Sequence, residues 1–570
     1  MKKLPIGIQS FEEMIKENYY YVDKTTLIKD IIDLAGKVKL ITRPRRFGKT
    51  LNMDMIRRFF AMDEEENLFE DLKIWNEKGL LKDYYHRCPV IFVSFRDVKE
   101  PTWDKAIDKM KMVLSEHAKL YKKFAKDEDD VYYIRRIIRK EASESEYSSF
   151  LKFLTWLLHK ETGMKPVVLI DEYDVPIEAA YTYREKDPDY YDNMVAFMRD
   201  MLAGALKDNP YLEFGILTGV YRVAKESIFS GLNNLAVYTV FENEMSDKFG
   251  FTEEEVREML KHYDLDDEDL DVVRKWYGGY IIGKEENLYN PWSVIYYVKE
   301  RTLGERGKEE APQPFWINTS SNDIIKEQVE KNPSLKGELE GLLQMKEIEK
   351  TIDPYLSLRE LERKKEGVWT LLASSGYLSA KRVRGFNKYS LRIPNEELLY
   401  FFKDSVMEWI ENTCGTNMGK MLNELYELLE KGTYEGFAES LKEYIEGTMS
   451  YLDIGGREPE RVYKAFLLGI LSIAINGYVV ESERESGYGR LDVVVYPKER
   501  KYGHYAAIFE VKRVEKGENL ETFAKQALDQ IRERKYYSKM RDLGYKVIGF
   551  GVVFCGKKVA IEVEAYSHTF

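Results

Sequence analysis

Cysteine is nearly missing from this chain: three in 570 residues, Cys88, Cys414 and Cys555, far apart and without a CxxC pair. That excludes a disulfide-stapled scaffold and a zinc ribbon, and it fits a reducing, cytoplasmic setting. Histidine is almost as scarce. The six histidines show neither HExxH nor a paired ligand spacing, so zinc-hydrolase chemistry has no foothold. No GxSxG marks a serine hydrolase. Only 16 prolines and 37 glycines are present, which excludes collagen-like and low-complexity chains. Long apolar runs are lacking too. The longest, Ala465 to Ile475, is about half of what a bilayer crossing needs and reads as a buried helix. No apolar stretch follows Lys2 and Lys3, so neither a signal peptide nor a membrane partner is expected.

Charge and aromatic rings are plentiful: 33% of residues are charged, 44% hydrophobic and 13% aromatic. Several cores can be built from this supply, and the length suggests roughly three to four domains. The net charge of −12 argues against general polyanion binding but leaves a local basic site open.

Hydrophobic patterning organises the chain. Short apolar runs at Val38–Thr42, Val90–Phe95, Val167–Ile170, Phe214–Thr218 and Ala236–Phe241 suit strands of a parallel sheet buried on both faces. The charged insert from about Thr102 to Lys165 has helical period. Thr252–Glu255 predicts a capping box at the start of an acidic helical stretch. Residues 278–400 are mixed and 395–448 helical. The last section predicts a helix, strands Leu491–Tyr496 and Ala506–Val511, a helix from about Leu520 and a strand Lys546–Phe554. The expected class is therefore α/β, with an N-terminal domain at 1–245, a mostly helical region at 246–440 and a second α/β domain at 441–570.

Two segments in the first domain carry phosphate chemistry. Arg43-Pro-Arg-Arg-Phe-Gly-Lys-Thr50 lies between a predicted strand and a predicted helix, where backbone N–H groups can face an anion. Arg45, Arg46, Phe47, Gly48, Lys49, Thr50 and Leu51 are the candidate contacts. Lys49 would reach the β- and γ-phosphates and Thr50 would hold Mg²⁺. The motif GxxxxGK[ST] wants glycine where Arg43 stands, and an ordinary helix start shows the same three last letters. Pro166 to Asp174 (PVVLIDEYD) is an apolar strand ending in acids. Asp171 is placed for Mg²⁺ and Glu172 for orienting and deprotonating a water.

A second constellation lies near the C-terminus. Glu510 and Lys512 of FEVK share one face of a strand, and Asp492 of GRLD joins them if the preceding strand pairs alongside. Two carboxylates then bind a divalent metal, and the lysine positions water and offsets charge on a phosphodiester. Glu485, Glu458 or Glu460 could complete the ligand set, and Gln526 and Gln530 could add contacts. A charged alternating strand spells the same letters. Ile531–Lys546 interleaves basic residues with tyrosines, which suits nucleic acid or equally a solvated helix face with its tyrosines inward.

Across nearly the whole length the chain resembles the AAA-ATPase-like proteins fused to a PD-(D/E)xK nuclease-like domain. The resemblance rests on LPIGIQSFEEMIKENYYYVDKT, RPRRFGKTLNM, LIDEYDVPI, LTGVYRVAKESIFSGLNNL, WYGGY, YNPWSV, WINTSSND, SGYLS, ESGYGRLDVVV and FEVK. It implies a P-loop NTPase sheet of the additional-strand class, in which the strand bearing Asp171 lies beside the neighbour of the P-loop strand. It also implies a C-terminal restriction-endonuclease-like α/β domain. Arg43 becomes a family trait, Thr218 a γ-phosphate sensor and Arg222 a nucleotide-sensing arginine or a surface ion pair. The implied cofactors are ATP and Mg²⁺, with Mn²⁺ open at the nuclease-like site. The implied partner is nucleic acid, DNA before RNA, and a homo-oligomer stays open. On this reading the nucleotide state gates a metal-dependent nuclease built on Asp492, Glu510 and Lys512. The alternative is a nucleotide-dependent switch whose C-terminal domain binds nucleic acid or protein without cutting.

Overall fold

The computed structural model describes residues 1–570 except 65, 223–234, 304–311, 317–323, 328–331, 333–334, 336–337, 339–340, 344, 355, 357, 362–363, 365, 415–417, 452–462, 465–466, 469–470, 472–477, 487–488, 501–502, 516, 557 and 567–570. For 303, 359, 361, 406–414, 418, 447–451, 483–486 and 489–491 it describes the backbone only. Two units separate: Met1–Ile325 with Glu349–Leu398, and Lys326–Ile348 with Leu399–Phe570.

The first unit is built on five strands, β1 (Val38–Thr42), β2 (Val90–Ser94), β3 (Val167–Asp171), β4 (Gly215–Gly219) and β5 (Leu235–Tyr238), in the order β2–β3–β4–β1–β5. All the pairings are parallel. β1, β3 and β4 are buried at every position, which is why they read as unbroken apolar runs. β4 lies between the P-loop strand β1 and the strand β3 that ends in Asp171, as the additional-strand class requires. β5 ends at Tyr238 instead of Phe241 and β2 at Ser94 instead of Phe95; β5 stops because the chain turns at Thr239, whose N–H donates to Glu242 at 2.7 Å. The charged insert folds into helices Trp103–Tyr121, Glu128–Arg139 and Glu144–Thr162, the last opened by a Ser143–Glu146 capping box.

After β5 come helices Glu253–His262 and Asp267–Tyr277, a hairpin of β6 (Tyr280–Ile282) and β7 (Glu285–Leu288), and helix Pro291–Leu303. The capping box at Thr252 forms: Glu255 N–H donates to Thr252 Oγ1 at 3.3 Å and Thr252 N–H to Glu255 Oε2 at 2.8 Å. β8 (Ile348–Thr351), β9 (Ser379–Arg382) and β10 (Lys388–Arg392) make a small sheet. The middle of the chain is thus mainly helical, with two small sheets inserted.

One buried carboxylate ties this middle part together. Glu397 is 0% exposed and accepts from Ser293 Oγ at 2.9 Å and from Trp316 N–H at 2.7 Å. Burial pushes its carboxyl from 4.5 up to about 8. The native state therefore holds a proton that the unfolded chain releases between those two pH values. Stability falls as pH rises through that window, by at most roughly 1.4 kcal/mol per unit, and levels off above it. Glu397→Gln keeps an acceptor without the proton, so calorimetric melts from pH 5 to 8 should lose this slope. An unchanged slope would show that Glu397 does not titrate there.

The second unit carries helices Met418–Lys431 and Glu435–Tyr451 and a five-stranded sheet. Its strands are β11 (Tyr478–Ser486), β12 (Gly489–Pro497), β13 (Tyr505–Arg513), β14 (Lys546–Cys555) and β15 (Lys558–Tyr566), in sequential order. β13 and β14 are parallel and are joined through helix Leu520–Glu533. β11 and β15 were not expected from the sequence. Both are edge strands rich in charge, with Glu481, Glu483, Arg484 and Glu485 in β11 and Lys558, Glu562 and Glu564 in β15, and edge strands lack the two-sided burial that makes an inner strand legible. Of the apolar run at 465–475, the described residues Leu467, Leu468 and Leu471 are helical and buried. No described helix is long and apolar enough to cross a membrane.

Candidate functional site

In the parallel sheet the carboxyl ends of β1, β3 and β4 align, so Thr42, Asp171 and Gly219 come out at one edge, where open α/β sheets bind ligands. The segment 43–48 crosses that edge and enters helix Lys49–Phe60. Gly48 has φ 82°, a left-handed conformation that costs glycine little. Among the described residues the N–H groups of Gly48, Lys49 and Thr50 have no acceptor. They point the positive end of the helix at whatever anion binds.

Lys49 is 6% exposed and donates to the carbonyls of Arg43 at 3.1 Å and Pro44 at 3.0 Å. Burial lowers its pKa, opposed by Glu172, Asp174 and Asp171. Asp171 is fully buried and accepts from Thr50 Oγ1 at 2.8 Å and from Thr218 Oγ1 at 2.6 Å. Three sequence-distant candidates therefore meet in one hydrogen-bonded cluster. Glu172 follows in a left-handed conformation, φ 52°, and burial raises its carboxyl, with Lys49 opposing. A cavity of about 650 Å³ opens over these groups and is lined by Arg45 to Asn52, Glu172, Asp174 and Glu178. Apolar and aromatic groups, among them Ile8, Tyr21, Phe251 and Trp292, line it as well. That volume, with charged groups and rings in one lining, suits a nucleotide.

The arginines of the loop divide their tasks. Arg43, where the motif wants glycine, is 0% exposed and outside the cavity lining. Its guanidinium donates to the carbonyls of Thr42, Tyr238, Thr239 and Met245 at 2.8, 2.8, 2.9 and 3.1 Å. It thereby pins the loop to the exit of β5. Arg45 pairs with Glu178. Arg46, φ 67°, lies over the Trp292 ring at 4.2 Å. Phe47 packs edge-on against Tyr280 at 5.1 Å. Arg222 lines a different, small cavity with Thr42, Thr239 and Thr370, so the structure does not bring it to the groups around Lys49. The segment SGLNN (230–234) and residues 317–323 of WINTSSND lie outside the described residues.

Sequence reading passed over Asp174, Glu178 and Trp292. Only Asp174 had a signal, as the last acid of IDEYD; Glu178 and Trp292 reach the cavity through packing alone.

In the second unit β12 and β13 pair antiparallel with Val493 opposite Phe509, which sets Asp492 against Glu510 as expected. Asp492 is 8% and Glu510 4% exposed. Asp492 Oδ2 accepts from Val511 N–H at 2.8 Å. Gln530 donates to Glu510, while Gln526 is exposed. Lys512 is half-buried on the same strand face as Glu510. Lys464, unremarked in the sequence, places its ammonium 2.7 Å from Asp492 Oδ1. A cation is thus already drawn to this carboxylate, which fits a site for positive charge. Glu458 and Glu460 and the side chain of Glu485 are outside the described residues. Tyr536 and Tyr545 are 3% and 6% exposed, so these two tyrosines of the basic segment pack inward.

Comparison with known proteins agrees with both halves. Residues 5–229 match the AAA-ATPase-like family, described as "Predicted AAA-ATPase". Residues 458–564 match the PD-(D/E)XK nuclease superfamily. A curated relative from Azotobacter chroococcum mcd 1, "Uncharacterized protein in vnfD 5'region", is 26% identical over 565 residues, 97% of this chain and 96% of that protein.

Proposed function

We propose, for a chain in which an AAA-ATPase-like domain at 5–229 precedes a PD-(D/E)XK nuclease-superfamily domain at 458–564, that ATP binding and hydrolysis gate a metal-dependent nuclease acting on nucleic acid, DNA before RNA. The observation that carries the reading is the cluster in which Asp171 holds both Thr50 and Thr218 beneath a nucleotide-sized cavity.

Lys49 leaves the loop carbonyls for the β- and γ-phosphates, while the N–H groups of Gly48, Lys49 and Thr50 take the remaining phosphate oxygens. Thr50 and Asp171 are the residues that would hold Mg²⁺, which neutralises phosphate charge when bound. Thr218, tied to Asp171, sits where a change at the terminal phosphate is felt by β4. Glu172 accepts the proton of the attacking water, helped by a carboxyl that burial has already raised. Arg45 and Arg46 bring positive charge to the same wall.

In the second unit Asp492 and Glu510 would hold a divalent ion, Mg²⁺ or Mn²⁺, exchanging it for the Lys464 ammonium on Asp492. Lys512 would position the hydrolytic water and stabilise the phosphate. Arg222, outside the cavity lining, has a weaker claim to nucleotide sensing than the sequence pattern implied.

The test incubates the protein with plasmid, linear and single-stranded DNA and RNA, with Mg²⁺ or Mn²⁺, with and without ATP, beside Lys512→Ala. Metal-dependent cutting should be lost in Lys512→Ala, and ATP should alter the wild-type rate. Equal inertness of both proteins would leave a nucleotide switch whose C-terminal domain only binds.

A further inference from the structure

We infer that the hairpin of β9 and β10 grips duplex DNA: Phe386 at its tip enters a groove, and Arg384 and Lys388 take the phosphates on either side. The choice of occupant rests on the nucleic-acid reading above.

The chain has 99 acidic residues and a net charge of −12, yet none of those acids lies between Glu366 and Glu396. Five basic residues fall in that interval, Lys381, Arg382, Arg384, Lys388 and Arg392, and all of them stand on β9, β10 or the turn between. Glu349 on β8 is the one acid in the three strands of this sheet. Lys381 pairs with Glu286 at 2.7 Å. The side chains of Arg382, Arg384 and Lys388 are exposed and form no hydrogen bond or ion pair among the described residues.

The strands run antiparallel with Tyr389 opposite Arg382, and Val383 N–H donates to the Lys388 carbonyl at 3.0 Å to close the turn. Gly385, φ 123°, and Asn387, φ 52°, supply the left-handed backbone that the turn needs. Phe386 between them is not required by the turn geometry. Its side chain is 90% exposed, more than any other large apolar side chain described. An aromatic ring therefore stands in water, flanked by cations that nothing neutralises.

The root of the hairpin is held firmly. Tyr389 is buried and packs edge-on against Phe241, with ring centres 5.2 Å apart. Ser379 Oγ donates to the Gly279 carbonyl at 2.6 Å, and Ile352 N–H to the Asn387 carbonyl at 2.9 Å. Phe241 belongs to the turn beyond β5 whose Thr239 carbonyl Arg43 holds. The grip thus belongs to the first unit, whereas Asp492 and Glu510 belong to the second.

Unpaired cations on an acidic protein fit a polyanion, and phosphates are the groups that such cations hold. A two-stranded ribbon is admitted by the major groove of B-form DNA, while the A-form groove of RNA is too narrow for side chains to read. Single-strand binders lay bases on several rings along a groove, and this tip offers one. A lone apolar side chain between cations suits contact with base edges, the backbone on each side taking the charges.

The test measures anisotropy of a labelled DNA duplex with the full chain in EDTA, from about 50 to 200 mM salt. Arg384→Ala with Lys388→Ala should weaken binding and lower the slope of log K against log salt by about two. Phe386→Ala should weaken binding roughly tenfold with the slope unchanged. Arg384→Lys with Lys388→Arg should keep the wild-type slope. Tm and affinity for a non-hydrolysable ATP analogue should stay at the wild-type level in all three, since these side chains are exposed and outside the cavity lining. Wild-type affinity and slope in both alanine variants would overturn the inference and leave the nuclease reading standing. Tighter hairpin-dependent binding to a single strand, to RNA or to anionic lipid vesicles would overturn the assignment to duplex DNA. Hairpin-dependent duplex binding without metal-dependent cutting would support the grip and count against the nuclease alone. A wild-type protein that binds no nucleic acid would sink both readings.

Discussion

Arg43→Gly, which restores the glycine of the standard phosphate loop, is expected to damage the protein instead of improving it. The Arg43 guanidinium is fully buried, and it satisfies the carbonyls of Thr42, Tyr238, Thr239 and Met245 at once. Its carbon Cζ also lies 5.2 Å from the centre of the Phe249 ring. Burial lowers it to about 10, still high enough to stay charged at neutral pH. Removing it takes a donor from four buried carbonyls, of which Met245 keeps the Lys248 N–H, and opens a void. Such losses cost roughly 1–3 kcal/mol per group when nothing replaces the donor, and partial relaxation brings the sum to about 3–5 kcal/mol. That is a large share of the stability of an ordinary domain. A calorimetric melt should show a drop in Tm of the N-terminal transition by several degrees. Arg43→Lys should recover part of it, since an ammonium donates at most three hydrogen bonds. An unchanged Tm in the glycine variant would mean that the loop does not depend on this staple.

Lys49→Ala should abolish nucleotide binding, with an expected loss of affinity of at least about 10²-fold. Lys49 is the buried cation facing Glu172, Asp174 and Asp171. Without it an incoming polyphosphate meets three acids with the helix N–H groups and the more distant charges of Arg45 and Arg46 to hold it. Isothermal titration with ATP and with a non-hydrolysable analogue measures the effect directly. Retained binding with lost turnover would assign Lys49 to the transition state alone. Unchanged binding and turnover would remove the cavity over β1 from consideration as the ATP site.

Inner strands were legible because two-sided burial demands unbroken apolar runs. Val38–Thr42 and Val167–Asp171 are of this kind, and their carboxyl ends point to Lys49, Thr50 and Asp171 from the sequence alone. The capping box at Thr252 was legible for a similar reason, since its hydrogen bonds span only three residues. Edge strands β11 and β15 were not. Their sequences mix Glu, Ser, Arg and Lys with apolar residues, and nothing local distinguishes such a mixture from a charged loop. Asp492 and Glu510 lay between these cases: the strands were visible, but the register that sets one opposite the other is fixed only by the pairing of Val493 with Phe509.

The amino-acid sequence alone determined the inner strands, the main helices and the order of the two α/β parts, and it singled out the candidate site residues, because these follow from local period and from residues close together in the chain. Tertiary structure decided where long side chains go. It sent Arg43 down to the exit of β5 and away from the cavity, set Arg46 on Trp292 and Arg45 on Glu178, moved Arg222 to a separate cavity, and brought Lys464 to Asp492. It also turned the Asp174 carboxylate onto the Val220 and Tyr221 amides. Each of these contacts joins residues apart in sequence through side chains that can point several ways, and only the packing around them selects one.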